Sequence, residues 1–157
     1  MNKEIVKIPN PVLKKKSSEV KEISEEVRKL VSEMIEAMSL DGGVGLAAPQ
    51  IGESKRIIVV QMEEGPKAFF NPRIVWKSRE KNIMEEGCLS VPGIRLEIKR
   101  NNEIELESMT EEKQKSRQKY SGYIARIFQH EIDHINGILF TERLSIWQKI
   151  KRFFKKT

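Results

Sequence analysis

Apolar residues first recur at helical spacing in the stretch from about Ser24 to Leu40. Ser24 is suited to cap the N-terminus of a helix, and Glu25 and Glu26 in the first turn interact favourably with the helix dipole. Asp41 and two glycines then end the pattern. The stripe predicts a scaffold helix whose apolar face lies in the core. The apolar positions on this face are Val27, Leu30, Val31, Met34, Ile35 and Met38.

The middle of the chain has the alternation and the β-branched content that are typical of strands. Two strand-like segments run over residues 56–62 and 68–75. Two more, "IRLEIK" and "EIELES", are separated by Asn101-Asn102. We expect them to form a hairpin, because asparagine tolerates the positive φ of a tight turn. The polar stretch 110–119 lacks glycine and proline and fits either an exposed loop or a weak strand.

Two further helices are predicted towards the end of the chain. The first begins near Ser121 and ends before Gly137, a residue suited to a helix C-terminus. After Ser145, a suitable N-cap, "IWQKIKRFFKKT" predicts a short amphipathic helix with a strongly basic end. The apolar stripe of the first of these helices consists of Ile124, Ile127, Phe128, Ile132 and Ile135.

Composition and charge limit the class of protein. The 157 residues carry 29 Lys and Arg against 23 Asp and Glu, and 38% of them are hydrophobic, as in a globular protein. We therefore take 1–157 as one domain. The apolar runs are far shorter than the roughly 20 residues that cross a bilayer, and the charged N-terminus does not resemble a secretory signal. A single cysteine fits a reducing compartment. We expect a cytoplasmic protein with no membrane and no DNA partner.

Both histidines of the chain, His130 and His134, lie four positions apart in a predicted helix. This spacing places both imidazoles on one face, where they can bind a metal ion with Glu131 beside them. A pair of helical histidines with local hydrogen bonds is the simpler alternative. With Cys88 the chain has three Cys and His residues, one fewer than a structural zinc site normally uses. If all three bind one ion, water or substrate fills the fourth position unless a carboxylate does, which favours catalysis.

Three stretches together resemble the signatures of the peptide deformylase family. The patterns G-x-G-L-A-A-x-Q, E-G-C-x-S and H-E-x-x-H occur in that order at residues 43–50, 86–90 and 130–134. A looser likeness extends from "IPNPVLKKK" to "GILFTERLS". The resemblance implies an α+β fold, in which antiparallel strands pack around a central helix that carries H-E-x-x-H. The pattern described above adds a basic C-terminal helix.

The resemblance also implies an activity and a cofactor. Peptide deformylases are metal-dependent hydrolases that remove the N-formyl group from the N-terminal methionine of nascent polypeptides and release formate. Cys88, His130 and His134 would bind one divalent ion. In this family the ion is commonly Fe²⁺, with Zn²⁺, Ni²⁺ or Co²⁺ able to replace it. The residues themselves do not choose among these metals, because thiolate and imidazole suit several of them.

The remaining site residues are also assigned by the resemblance. Glu131 would be the general acid/base, and the Gln50 side chain with the Leu89 backbone N–H would polarise the formyl oxygen. Gly45 would lie along the backbone of the substrate. Arg126 falls near the expected methionine pocket, which should be apolar. We assign that pocket to Val44, Ile127 and His130.

Two other functions fit parts of the pattern. A zinc peptidase shares H-E-x-x-H, although zincins use only His and carboxylate ligands, which disfavours a site containing Cys88. A metal-stabilised RNA- or ribosome-binding protein without activity is suggested by the basic tail, although such a tail is often simply solvated. Glu131 and the missing fourth ligand favour an enzyme. The tail could still attract the phosphates of ribosomal RNA in a salt-dependent way.

Overall fold

The computed structural model describes residues 3–155, which form α-helices, short 3₁₀ turns and antiparallel strands. The α-helices are α1 (Glu25–Leu40), α2 (Gly122–Ile135) and α3 (Ile146–Lys155). The strands are β1 (Gly45–Ala47), β2 (Ile57–Met62), β3 (Gly65–Lys77), β4 (Lys81–Cys88), β5 (Val91–Asn101), β6 (Glu103–Met109) and β7 (Lys115–Ser121). Within the described residues, β1, β2, β3, β6 and β7 form one sheet in that order, and β4 pairs with β5 in a separate ribbon. The predicted α+β class is confirmed.

Helix α2 lies between the sheet and the ribbon and contacts strands of both. Every residue from Ala125 to Ile135 is buried. Phe128 is fully buried and packs edge-on against Phe69 of β3, with ring centroids 4.9 Å apart. Gly137 ends the helical region at φ 75°, where a Cβ atom would lie 2.5 Å from the Lys14 carbonyl oxygen. The central helix predicted near Ser121 is therefore confirmed.

Helix α1 has the predicted bounds and the predicted cap. The Ser24 hydroxyl accepts a hydrogen bond from the Val27 backbone N–H at 3.3 Å, and Glu25 and Glu26 occupy the first turn. The apolar stripe packs against β1 and β2. Burying each aliphatic side chain of this kind contributes about 1.5–3 kcal/mol. The helix thereby fixes the sheet edge that carries β1.

The predicted hairpin across Asn101-Asn102 is wrong. β5 pairs with β4, whereas β6 pairs with β3 and β7, so the two strands belong to different sheets. Neither asparagine adopts a positive φ. The Asn101 side chain instead donates to the Ser78 carbonyl, and Gln129 of α2 accepts from its backbone N–H. Alternation identified both strands but not their partners: β5 forms its hairpin with the preceding β4, and β6 pairs with the more distant β3.

The stretch 110–119, for which loop and strand were both open, contains a turn followed by a strand. The Thr110 backbone N–H donates to the Gln114 carbonyl at 2.9 Å, and Lys113 adopts φ 64° in between. From Lys115 onwards the chain is β7, an edge strand whose exposed side chains are mostly polar. Charged side chains on such an edge disfavour pairing with another chain, which explains the polar composition of this strand.

Helix α3 begins directly after Ser145, which caps its N-terminus as predicted. The Gln148 backbone N–H donates to the Ser145 hydroxyl at 3.2 Å, and the Ser145 N–H donates back to the Gln148 side chain at 2.9 Å. This reciprocal pair satisfies two backbone donors at the start of the helix. Among residues 3–155, no helix combines the length and the apolar character needed to cross a membrane.

Candidate active site

Three donor atoms predicted to bind metal converge in the structure. Cys88 ends β4, and His130 and His134 lie one turn apart on α2. The Cys88 Sγ atom lies 3.3 Å from His134 Nε2. One ligand atom from each of the three residues falls within 4.8 Å of the others, which is close enough to share one ion. The thiolate and the two imidazoles are a donor set that fits a divalent transition metal.

Local structure explains how this triad forms. The i, i+4 spacing on α2 stacks the two imidazoles on one face, with ring centroids 5.0 Å apart. On the ribbon, the register between β4 and β5 shifts between Gly87 and Cys88. An irregularity of this kind re-aims the next side chain. It lies immediately before the one cysteine of the chain.

The two imidazoles differ in electrostatic environment. Burial lowers the pKa of His130, but hydrogen bonds with Cys88 and Glu86 outweigh this effect and raise it to about 10. Burial, together with the nearby positive charges of His130 and Arg100, holds the pKa of His134 well below its usual value. The two rings therefore differ in their affinity for a proton, although they lie one turn apart on α2.

Glu131 lies within this buried site with one oxygen unpaired. Its Oε2 atom has no hydrogen-bond partner among the described residues, although the side chain is only about 5% exposed. Burial raises the pKa of the Glu131 carboxyl to about 7, and the positive charges of His130 and Arg100 oppose that rise. A carboxyl that titrates near neutrality can both accept and release a proton at physiological pH.

The space for the Glu131 carboxylate exists because residue 45 is glycine. A Cβ atom at Gly45 would lie 2.8 Å from Glu131 Oε1 and 2.8 Å from Ile127 Cγ2. Both distances are too short for non-bonded atoms. Sequence reasoning placed Gly45 beside the substrate, but it did not detect this second requirement, since the contact joins β1 to α2 across the fold.

A buried network of charges supports the triad, and sequence reasoning did not assign roles to its members. His130 Nδ1 donates to Glu86 Oε1 at 2.9 Å, and Arg100 donates to both oxygens of Glu86 at 2.7 and 2.9 Å. Arg100 also donates to Asp133 at 2.9 Å, and Asp133 accepts from Arg143. Such partners fix the tautomer and the ring orientation of a ligating histidine.

The charge state of Glu86 follows from these contacts. Burial disfavours the carboxylate, but hydrogen bonds from His130 and Arg100 outweigh burial and lower its pKa to about 2. Glu86 is therefore an acceptor, and His130 must donate from Nδ1, which leaves Nε2 for the triad. Glu86 stands two residues before Cys88 within the E-G-C-x-S pattern. That position was the one available sequence signal for its role.

Gln50 is held beside the triad by its own local structure. It lies in a 3₁₀ turn, Ala48–Ile51, directly after β1. Its Oε1 atom accepts from the Ala47 backbone N–H at 2.9 Å, which fixes the orientation of the amide. Its Nε2 atom then donates to Ser90 Oγ at 3.2 Å and faces Cys88 Sγ at 3.7 Å. An amide donor is thus positioned at the edge of the triad.

One cavity of about 970 Å³ connects these residues. Leu89 and Val44 stand at its wall, and Val44 is 41% exposed, whereas Ile127 is buried. Arg126 also lines the cavity, but its guanidinium donates to Glu86, to the Ile98 carbonyl and to Asn82. It therefore belongs to the charge network. The predicted site residues that line the cavity are Val44, Gly45, Gln50, Cys88, Leu89, Ile127, His130 and Glu131, while His134 lies behind it.

Known proteins match both the sequence and the fold. The sequence pattern of the polypeptide deformylase family matches residues 2–149. A peptide deformylase of Dictyoglomus turgidum is 49% identical over 140 residues, which cover 89% of this chain and 91% of that protein. The crystal structure of peptide deformylase from Thermotoga maritima superposes with a TM-score of 0.89 at 40% identity, covering 92% of this chain and 99% of the other. A peptide deformylase from Synechococcus elongatus in complex with actinonin gives a TM-score of 0.89 at 33% identity, covering 97% and 84%.

Fold and sequence together define a metal-dependent hydrolase of amide bonds, in which Cys88, His130 and His134 lie close enough to share one ion. The chain belongs to the polypeptide deformylase family. Its reaction is removal of the N-formyl group from nascent polypeptides. The family assignment and the activity implied by the three signatures are confirmed, and neither alternative, the zinc peptidase or the inactive RNA-binding protein, receives support.

Proposed function

We propose that Cys88, His130 and His134 hold one divalent ion and that the fourth position faces the cavity. The observation that supports this proposal is the convergence of the three donor atoms within 4.8 Å of one another. The chain has one Cys and two His, so no further residue of either type is available to close the site. Three protein ligands and one open position are typical of catalytic metal centres.

Glu131 is the general acid/base in this proposal. When bound, the ion would act as a Lewis acid that lowers the pKa of water, so that hydroxide becomes available as a nucleophile near neutral pH. Glu131 then accepts the proton of the attacking water and transfers it to the departing amine nitrogen. Its unpaired Oε2 atom and its raised pKa support this role. The products are formate and the free N-terminal amine.

Gln50 and the Leu89 backbone N–H stabilise the negative charge that develops on the formyl oxygen. Gln50 is suited to this role because Ala47 fixes its oxygen and leaves the amide donors facing Cys88. Leu89 follows Cys88 directly and lines the same cavity. Donors that are oriented before the reaction are worth more than donors that must reorganise, and losing one costs about 10²–10³ in rate.

The rest of the cavity binds the methionine and the peptide. Gly45 lies on β1 at the cavity wall, where the absence of a side chain admits a peptide backbone as well as the Glu131 carboxylate. Val44 and Ile127 supply apolar contacts to the methionine side chain. His130 lines the same cavity and completes that pocket.

Ferrous iron is the cellular ion in this proposal, with Zn²⁺, Ni²⁺ or Co²⁺ as replacements. The thiolate of Cys88 and the imidazoles suit each of these ions. Anaerobically purified protein should contain one equivalent of iron by elemental analysis and should lose activity in air. Stoichiometric zinc with air-stable activity in protein isolated directly from its source would contradict the choice of iron.

The activity itself is tested by measuring formate release from a short formyl-Met peptide. The unformylated peptide serves as the matched control for backbone cleavage. We expect formate from the first peptide and no cleavage of either one. Backbone cleavage would instead indicate a peptidase. If protein with one equivalent of bound metal gives neither formate nor cleavage, that result contradicts the assignment of the site.

Substitution Glu131→Gln tests the acid/base role. The amide keeps the size of the carboxylate but cannot transfer the proton, so we expect turnover to fall by about 10²–10⁴. Metal content should stay the same, because Glu131 is not among the three ligands. Glu112→Gln, in the exposed turn before β7, is the matched control. Turnover of Glu131→Gln near that of the control would refute the role.

The chain acts in the cytoplasm on ribosome-bound substrates in this proposal, with the basic end of α3 contacting ribosomal RNA. Lys149, Lys151, Arg152 and Lys155 give the segment 146–155 four positive charges without an acidic residue. Deleting 149–157 should weaken co-sedimentation with ribosomes at low salt, since RNA affinity depends on phosphate neutralisation. Hydrolysis of a free formyl-peptide should be nearly unchanged. Equal co-sedimentation of both forms would exclude the contact.

A further inference from the structure

Helix α3 separates its apolar and charged side chains onto opposite arcs. At 100° per residue, the large apolar residues fall within one third of the helix circumference, and the cations occupy the remainder. The two sets do not overlap. The apolar arc consists of Ile146, Trp147, Ile150, Phe153 and Phe154, and the polar arc of Gln148, Lys149, Lys151, Arg152 and Lys155.

The polar arc is the one that faces the protein. Gln148 Nε2 donates to the Glu97 carbonyl of β5 at 2.8 Å. Gln148 and Arg152, one turn apart, are the partly buried residues of α3 among those described. The helix is therefore mounted on the protein with its polar side inwards. An amphipathic helix that packs on a core has the opposite orientation.

The apolar arc consequently faces outwards. Trp147 is 75% exposed, Ile146 is 74% exposed and Phe153 is 69% exposed, while Ile150 lies at 40%. Within the described residues, no side chain of α3 is buried. Large apolar side chains that cluster on a surface usually mark an interaction site. The occupant must accept aromatic and aliphatic side chains together with adjacent positive charges.

We propose that α3 binds the surface of a bilayer that contains anionic phospholipid. The apolar arc would enter the boundary between headgroups and acyl chains, and the helix would lie in the plane of the membrane. Lys149 and Lys151 border the apolar arc on its two sides, where they can reach lipid phosphates. Aromatic residues on one arc and lysines beside it are the pattern of helices that lie in a membrane interface.

Other occupants explain less of this arrangement. The contact with ribosomal RNA proposed above uses only the cations and leaves the outward apolar arc without an occupant, so that arc requires a second partner. Pairing of the apolar arcs of two copies would bring Lys149 and Lys151 close to the same lysines of the second copy, which like charges disfavour. The expectation of no membrane partner was based on the length needed to span a bilayer, and a helix that lies on the surface does not need that length.

The test uses the full chain with Trp76→Phe, so that Trp147 is the remaining tryptophan of the two in the sequence. The protein is mixed with vesicles of phosphatidylcholine alone or of phosphatidylcholine with phosphatidylglycerol. We expect a blue shift of Trp147 emission, quenching by lipids brominated in the acyl chain, and co-flotation, each with the anionic vesicles. Raising the salt concentration should weaken binding without abolishing it.

Two variants separate the contributions of the arcs. Ile150→Ser with Phe153→Ser should lower the affinity for anionic vesicles by about tenfold or more, because binding scales with buried apolar area. Lys149→Gln with Lys151→Gln should lower it by roughly fivefold per charge and reduce the salt dependence. Deformylase activity on a free formyl-peptide should persist in both variants, which shows that they are folded.

Any of four outcomes would overturn the proposal. The first is unshifted Trp147 emission and no flotation with anionic vesicles. The second is equal vesicle binding by the parent and the Ile150→Ser, Phe153→Ser variant. The third is binding to an RNA homopolymer that this variant retains in full, with no binding to lipid, which would assign α3 to RNA. A blue shift that grows with protein concentration in the absence of lipid would assign the apolar arc to self-association instead.

Discussion

Helices α2 and α3 distribute their residues in opposite ways. α2 buries residues that water solvates well, including Arg126, Glu131 and Asp133, whereas α3 exposes Trp147 and Phe153. Burial of a charge costs several kcal/mol unless partners compensate. Arg126 and Asp133 have such partners in the network around Glu86, whereas Trp147 and Phe153 of α3 are 75% and 69% exposed. Both departures from ordinary burial coincide with a proposed site.

The largest effect on stability is expected at the centre of the α2 network, from Glu86→Gln. The substitution removes the negative charge that compensates Arg100 and Arg126, which lie 4% and 3% exposed in their side chains. Arg126 would lose its ion-pair partner and Arg100 would keep only Asp133, and breaking a buried ion pair in this way costs about 3–5 kcal/mol. The change should also lower metal affinity by about 10–100-fold, because His130 loses its fixed orientation. Denaturant unfolding and metal competition measure the two effects.

Glu85→Gln is the matched control, since it changes the preceding residue of the same strand. Glu85 pairs with Arg95, and both side chains are more than half exposed. An exposed ion pair contributes at most about 1 kcal/mol. We therefore expect near-normal unfolding and metal binding from this variant. Equal losses of stability and metal affinity from the two substitutions would show that burial of the network does not determine how much it stabilises the protein.

Gly45→Ala tests how closely α2 is held against β1. The new methyl group would meet Glu131 and Ile127 at 2.8 Å, so the carboxylate must move. A displacement of about 1 Å near reacting atoms can cost about 10²-fold in rate. Metal content should not change, because the atoms nearest to the added methyl group belong to Glu131 and Ile127 and not to the three ligands. Formate release and elemental analysis together distinguish displacement of Glu131 from loss of the ion. An unchanged rate would show that a methyl group at residue 45 does not displace the Glu131 carboxylate.

The parts of the fold that the sequence predicted are those that local patterns determine. Helix α1 with its Ser24 cap, the central helix and the strands at 56–62 and 68–75 all follow from periodicity and turn residues. The partner of β5 does not, because alternation identifies a strand without showing which neighbour it pairs with, and β5 pairs with the preceding β4 rather than with the following β6. Prediction of the Asn101-Asn102 hairpin failed for that reason.

The candidate site divides in the same way. Cys88, His130, His134 and Glu131 could be named from motifs, because their chemistry is rare in this chain and their spacing is specific. The supporting network could not be traced, since Glu86, Arg100 and Asp133 are ordinary charged residues among 52 in the sequence. Apart from the place of Glu86 in the E-G-C-x-S pattern, it is their burial that distinguishes these charges from the rest. The outward orientation of the apolar arc of α3 likewise depends on how the helix contacts β5 through Gln148, and the spacing of its apolar residues does not reveal it.

The smallest effect on stability is expected on α3, from Ile150→Ser with Phe153→Ser. Substitutions at exposed positions away from specific contacts usually change the free energy of unfolding by no more than about 0.5 kcal/mol each. Phe128→Ala in α2 is the matched comparison, because its fully buried ring should cost about 3–5 kcal/mol. Both are measured by denaturant unfolding in the absence of lipid. A loss of several kcal/mol from the α3 variant would mean that its apolar arc packs on the protein. The contrast between buried charges on α2 and exposed apolar residues on α3 would then be wrong for α3.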